Sequence, residues 1–143
     1  MNKQLKEFLQ GLVYGIILTA LVLTFGPHAS AKKWTEAEHV LSHCQGEIEV
    51  RLKDGTRVDC LTETHAIEYD FAHKWAEAIG QALHYSAMTG KKAGIVIIVD
   101  PAKKGTRYLA RLFSAIGQIP CAPAKTPCID VWVITANVYL SDR

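Results

Sequence analysis

The sequence predicts an α/β domain in which helices flank a mixed central sheet, in the order α-β-β-β-α-β-α-β. Three observations carry this. Asp54-Gly55 lies between two short alternating runs and marks a hairpin. The stretch from Ala72 to Thr89 repeats its apolar residues at helical spacing and stops at Gly90. AGIVIIVD, from Ala93 to Asp100, is an unbroken apolar run of the kind a strand buried on both faces requires.

The 143 residues suit one domain. With 49% hydrophobic residues, 21% charged residues and a formal net charge of +2, composition alone names no partner. Strongly basic nucleic-acid binders stand further from neutrality. The N-terminus is distinctive. Lys3 and Lys6 precede the apolar run LVYGIILTALVLTF, and GPHASA follows with Ala29 and Ala31 in small-x-small spacing. That pattern predicts a signal peptide over residues 1–31, leaving residues 32–143 as an exported domain, periplasmic or secreted. The alternative is an uncleaved membrane anchor over residues 9–25, the only case in which a membrane becomes a partner.

Export suits the cysteines. Cys44, Cys60, Cys121 and Cys128 are even in number, and in an oxidising compartment they pair. Sequence allows three connectivities, of which the local one, Cys44 with Cys60 and Cys121 with Cys128, is favoured because each pair brackets a short segment that a turn can close. No C-x-x-C spacing supports a zinc site.

Thr35 and Glu38 form a T-x-x-E capping box, and Trp34, Val40 and Leu41 supply the apolar positions of a short first helix. GEIEVRL and TRVDCLT then alternate on either side of the Asp54-Gly55 turn and are expected to pair antiparallel. HAIEYDF is a third strand. On the helix that follows, Trp75, Ile79, Ala82, Leu83 and Ser86 share one side. TRYLARLFSAIGQ is another helix, its core side formed by Tyr108, Leu109, Leu112, Phe113 and Ile116. A loop from Pro120 to Pro127 leads to a last strand, IDVWVITA.

The residues suited to chemistry concentrate early. Alternation puts Arg57, Asp59 and Leu61 on one face of the second strand and Val58 and Cys60 on the other. On the third strand Ala66, Glu68 and Asp70 oppose Ile67, Tyr69 and Phe71. Pairing of these strands brings Asp59 beside Glu68, a hard oxygen pocket of the kind that holds magnesium. At about 100° per residue, Lys74, Gln81 and Tyr85 fall within about 40° of one another. Lys74 then overhangs the carboxylates and can orient or deprotonate a water, or offset charge. Glu38 is expected to look inward and Glu36 outward, although Glu38 has an ordinary role in the capping box. Asp70 has one too, as the cap of the following helix, and Lys74 can simply pair with Asp70 or Glu77. His65, His73 and His84 read as surface residues, with His73 a possible base or ligand beside Lys74.

A helix with an acid, a hairpin, Asp59, Glu68 and then Q-x-x-x-Y at Gln81 and Tyr85 resembles the PD-(D/E)XK nuclease superfamily, in particular its RecB-type branch. The resemblance spans about Thr35 to Asp100 and lies in the order of short motifs on matching elements. It implies a restriction-endonuclease-like sandwich acting on DNA, with Asp59 and Glu68 as ligands of Mg²⁺ or Mn²⁺ and Glu38 and Asp70 as further acids of the metal site. Lys74 becomes the catalytic lysine, relocated to the helix because Asp70 occupies the usual lysine position. Gln81 and Tyr85 contact the substrate backbone or support the site. Two alternatives stand beside this: an envelope protein that keeps the fold without catalysis, and an enzyme using the same acids on another phosphate ester.

Overall fold

The computed structural model describes residues 2–25, 31–101, 105–120, 128–136 and 138–140. Ala29 of the expected cleavage motif and residues 121–127 of the cysteine-bearing loop lie outside them. The chain divides into a unit built on an N-terminal helix and a larger α/β unit, Lys33–Tyr139. Helix α1 spans Lys3–Phe25, with side chains exposed through Ile17. Among the described residues no helix is long and apolar enough to cross a membrane.

The α/β unit holds a five-stranded mixed sheet in the order β2-β3-β4-β5-β6. These strands are β2 (Glu47–Arg51), β3 (Arg57–Leu61), β4 (His65–Phe71), β5 (Lys92–Val99) and β6 (Ile129–Thr135). The first three run antiparallel as a meander, and β4, β5 and β6 are parallel. A separate two-stranded ribbon joins β1 (Ala31–Lys33) to β7 (Val138–Leu140). Parallel strands need crossovers. Helix α3 (Trp75–Thr89), entered through a 3₁₀ turn at Ala72–Lys74, supplies the first, and α4 (Gly105–Ile116) lies in the second. Helix α3 ends where the sequence expects, with Gly90 at φ +68° and its N–H bonded to the Ser86 carbonyl.

The sheet has two apolar faces. Ala93, Ile95, Ile97 and Ile129 pack under α3 and α4 with Ala78, Ala82 and Leu112. The opposite face buries Cys60, Ile67, Tyr69 and Val96 beneath Val40 of α2 (Glu36–His43). Strand β5 is buried from Ala93 to Ile98, consistent with its unbroken apolar sequence. One core assignment needs correction: Phe113 is 51% exposed. Leu109, Leu112 and Ile116 hold α4 to the sheet. One residue of helical rotation past Leu112 carries Phe113 about 100° round to the rim.

Helix α2 covers only part of its face. An open groove of about 680 Å³ remains, lined among others by Cys60, Ile67, Val96, Trp132 and Ile134. The expected capping box starts α2: the Thr35 N–H donates to Glu38 Oε2 at 2.6 Å, and the Glu38 N–H donates to Thr35 Oγ1 at 3.3 Å. At its other end Cys44 is bonded to Cys60. A bridge across 16 positions stabilises a fold by about 3 kcal/mol in the chain-entropy account, and such bonds persist in oxidising, extracytoplasmic surroundings. Cys128 is also disulfide-bonded.

Between the bridge and β2 the backbone runs too close to β3 for a side chain. A Cβ on Gly46 would collide with the Leu61 carbonyl oxygen, and the Thr62 Cα would stand 3.0 Å away. Backbone cannot rotate aside as a side chain can. Gly46→Ala is therefore expected to cost about 1–3 kcal/mol, read as a lower urea midpoint with an unchanged denaturant slope.

Candidate functional site

The site begins with a fault in the sheet. The β3–β4 ladder pairs Leu61 with Ala66 and Cys60 with Ile67, and there it stops. The next rung would set Asp59 opposite Glu68. Instead, the Tyr69 N–H donates to the Asp59 carboxylate, Oδ2, at 2.8 Å. The side chain thus satisfies a buried donor that a backbone carbonyl would otherwise take. On the other side of Asp59, Glu49 sits at φ +57° between the rungs Ile48–Cys60 and Val50–Val58. Its carboxylate pairs with Arg57 Nε at 2.6 Å.

This local departure overrides simple alternation. Val58 and Cys60 were expected on one face, yet Val58 packs with Ala66 and Tyr85 while Cys60 joins Val40, Ile67 and Tyr69. Beyond the split Asp59 comes near Glu68, and each carboxyl is raised above the ordinary carboxylate range. For Asp59 the cause is burial, opposed by the Tyr69 N–H. For Glu68 burial comes first and the charges of Asp59 and Asp70 follow, pushing it up to about 9.

Glu68 is the most telling group. It is 6% exposed, and its Oε2 has no hydrogen-bond partner among the described residues. Leaving a carboxyl oxygen in that condition is costly. Two residues on, Asp70 is 2% exposed and raised to about 7 by burial and by Glu36. Its Oδ1 accepts from the Phe71 N–H at 2.8 Å. The cap reading of Asp70 is not what the structure shows: the residue before the 3₁₀ turn is Phe71 and the one before α3 is Lys74, neither with a side-chain cap.

Lys74 lies between acids, with Nζ 3.0 Å from Glu36 Oε1 and 3.3 Å from Asp70 Oδ1. The Glu36 hydrogen bond leads in raising it to about 12, so it stays protonated at any physiological pH. Burial raises the Glu36 carboxyl, but bonds from Asp70 and Lys74 outweigh this and hold it below its usual value. Glu36, not Glu38, is therefore the acid that α2 presents. Glu38 is turned to its own helix N-terminus, bonded to the backbone and hydroxyl of Thr35. The capping motif itself carried this signal, because a capping glutamate is already engaged.

On α3 the Tyr85 hydroxyl donates to Gln81 Oε1 at 3.0 Å. Burial, then the charge of Glu68, lifts the phenol to about 12. The structure thus gathers Glu36, Asp59, Glu68, Asp70 and Lys74, with Tyr85 sensing the acids and Gln81 bonded to it. The histidines are engaged elsewhere: His65 with Asp130 at 2.9 Å, His84 with Asp54 at 2.6 Å, and His73 stacked on Phe71.

Among the described residues no group of three or more histidine, cysteine, aspartate or glutamate side chains is arranged to hold a metal ion. What is present is a pair of neighbouring carboxyls, Asp59 and Glu68, with a lysine and two further acids nearby. Comparison with protein-family models, curated proteins and solved structures gives no significant match.

The clustered acids set a pH dependence. The unfolded chain releases the Asp70 and Glu68 protons near 3.8 and 4.5, while the fold keeps them to about 7 and about 9. Across that interval the unfolded state binds fewer protons, so stability falls as pH rises. Groups held low, such as Glu36, act in the opposite sense only at more acid pH. In chelator, unfolding free energy is expected to decline from about pH 5 to about pH 9, by at most about 1.4 kcal/mol per unit for each retained proton. Glu68→Gln should flatten that decline in a urea titration series.

Proposed function

We propose that the chain is a divalent-metal-dependent phosphodiesterase of PD-(D/E)XK type, acting on DNA outside the cytoplasm. The observation that supports it best is the nearly buried Glu68, one oxygen unpartnered among the described residues, beside a second, half-buried carboxyl at Asp59. A hard cation is the ligand such a pair lacks. Magnesium is commonly held by one or two carboxylates, with water and substrate phosphate completing its shell. Asp59 and Glu68 are therefore a sufficient donor set, and Mn²⁺ takes the same ligands. When bound, such an ion polarises a phosphate oxygen and lowers the pKa of a bound water.

The remaining residues take roles their protonation states allow. Lys74, held up to about 12, is a fixed cation and not a general base. It offsets charge developing on the transferred phosphoryl group. Glu36 and Asp70 aim its ammonium group. Tyr85 occupies the carbonyl oxygen of Gln81, leaving the Gln81 amide N–H groups to donate to a substrate phosphate. Asp70 stands at the position where the family carries its lysine, and Lys74, one helical turn later, restores the positive charge beside it.

A second reading keeps the fold without catalysis. It is favoured by the lack, among the described residues, of a three-donor metal group. Oxidised protein is expected to cleave linear and circular DNA in Mg²⁺ or Mn²⁺ and to bind either ion in calorimetry. Asp59→Ala and Glu68→Ala should remove both properties. Lys74→Ala should retain metal binding and lose about 10²–10³-fold in cleavage rate. No cleavage and no metal binding by the wild type would decide for the second reading, and RNA or small phosphodiesters as better substrates would replace DNA.

A further inference from the structure

We propose that the Cys44–Cys60 disulfide is a positioning device for the acidic site, so that the site is fully assembled only when these two thiols are oxidised. As regulation of catalysis, this rests on the nuclease reading above. The two ends of the bridge occupy informative places. Cys60 directly follows Asp59 and belongs to the last rung before β3 parts from β4. Cys44 is the C-terminal cap of α2, the helix whose first residue, Glu36, grips Lys74 at 3.0 Å. One covalent bond therefore ties the acid-bearing helix to the acid-bearing strand.

Besides the bridge, α2 is held by Val40 on the sheet, by the edge-on packing of His39 against Phe71 of β4 and by the Glu36–Lys74 pair. It has eight residues, of which only His39 and Val40 are buried. Isolated helices of that length are marginal in water. Val40 packs against the sheet beside Cys60. His39 is fully buried, yet both of its ring nitrogens lack a hydrogen-bond partner among the described residues, so this anchor carries a desolvation cost. The capping box orders the first turn of α2 but does not join it to the sheet. Glu36 reaches Lys74 across 38 positions of sequence, and the bridge sets the helix that makes this contact.

The chemistry is ordinary thiol–disulfide exchange. A thiolate of a dithiol reductant attacks one sulfur, the Sγ–Sγ bond breaks, and a mixed disulfide forms with release of the other cysteine. The second reductant thiol then closes its own ring and frees the remaining cysteine. Two electrons and two protons pass to the protein, leaving two thiols, and the reductant is oxidised. Cys44 is half-exposed whereas Cys60 is fully buried, so the reductant thiolate attacks at the Cys44 sulfur and Cys60 is the thiol released. Once it is cut, α2 loosens, Glu36 leaves Lys74, and the lysine is aimed by Asp70 alone. A chain in a reducing compartment then carries a poorly formed site, and oxidation completes it.

The test uses the full chain, oxidised, beside the double variant Cys44→Ser/Cys60→Ser, which leaves Cys128 in its own disulfide. Two readouts need no activity: hydrogen exchange of the α2 amides, and the acylation rate of Lys74 by mass spectrometry. A third is Mn²⁺-dependent DNA cleavage. In the variant, exchange in α2 should rise about ten-fold or more, Lys74 acylation should speed up, and cleavage should fall by about the same factor, while β4 and β5 stay protected. Glu36→Gln in oxidised protein should speed Lys74 acylation with α2 still protected. If the variant unfolds globally, wild type at graded dithiothreitol, with reduction of each bridge mapped by peptide, gives the same comparison. Unchanged α2 exchange and Lys74 reactivity would overturn the proposal whatever the cleavage does. Loosened α2 with no cleavage by either form would support the tether and overturn the nuclease reading instead.

Discussion

Everything at the candidate site depends on one hydrogen bond, from the Tyr69 N–H to the Asp59 carboxylate. It lets β3 leave β4 without abandoning a buried backbone donor, and a strand that can leave can open a space inside a sheet. Had the ladder run on past Cys60 and Ile67, a regular rung would occupy that space. The left-handed Glu49 on β2, at φ +57°, marks the same fault on the neighbouring strand. A non-glycine residue in that conformation costs free energy and persists only where its surroundings hold it.

The charges gathered beyond the split do not balance. Four carboxyls, Glu36, Asp59, Glu68 and Asp70, share one lysine, and two of the four are almost fully buried. The molecule resolves this in two ways. Lys74 pairs with Glu36 and Asp70, and the two most buried acids, Glu68 and Asp70, retain protons to about 9 and about 7. These acids keep their protons because burial and neighbouring carboxyls disfavour charge there, and Glu68 Oε2 is left without a hydrogen-bond partner among the described residues.

Positioning of these groups is shared unequally. Asp59, Glu68 and Asp70 stand on strands of a sheet whose β4 and β5 are packed on both faces, so their places follow from a rigid layer. Glu36 stands on a short helix with two buried residues and a disulfide. The least firmly held member of the site is thus the one that completes the charge pairing of Lys74.

Much of the fold was legible in the residues alone because its signals are local. The hairpin follows from Asp54-Gly55, the end of α3 from Gly90, the buried parallel strand from AGIVIIVD, the start of α2 from Thr35 and Glu38, and the Cys44–Cys60 bridge from short spacing. Glu68 and Lys74 could be named because strand alternation and helical rotation put each on a definite side of its element. The mistakes occur where one element meets another. Alternation failed at Asp59, because a contact to β4 bends β3; Glu38 was chosen over Glu36, because helical angle says nothing of which acid a lysine 38 positions away will meet; Phe113 was placed inside, because the width of the buried stripe on α4 is set by the sheet beneath it. Sequence by itself determined the order of the elements and which ionisable residues each of them bears. Only the tertiary structure decided which acids are buried near one another and which one holds the lysine, since those depend on burial and on distances between segments far apart in the chain.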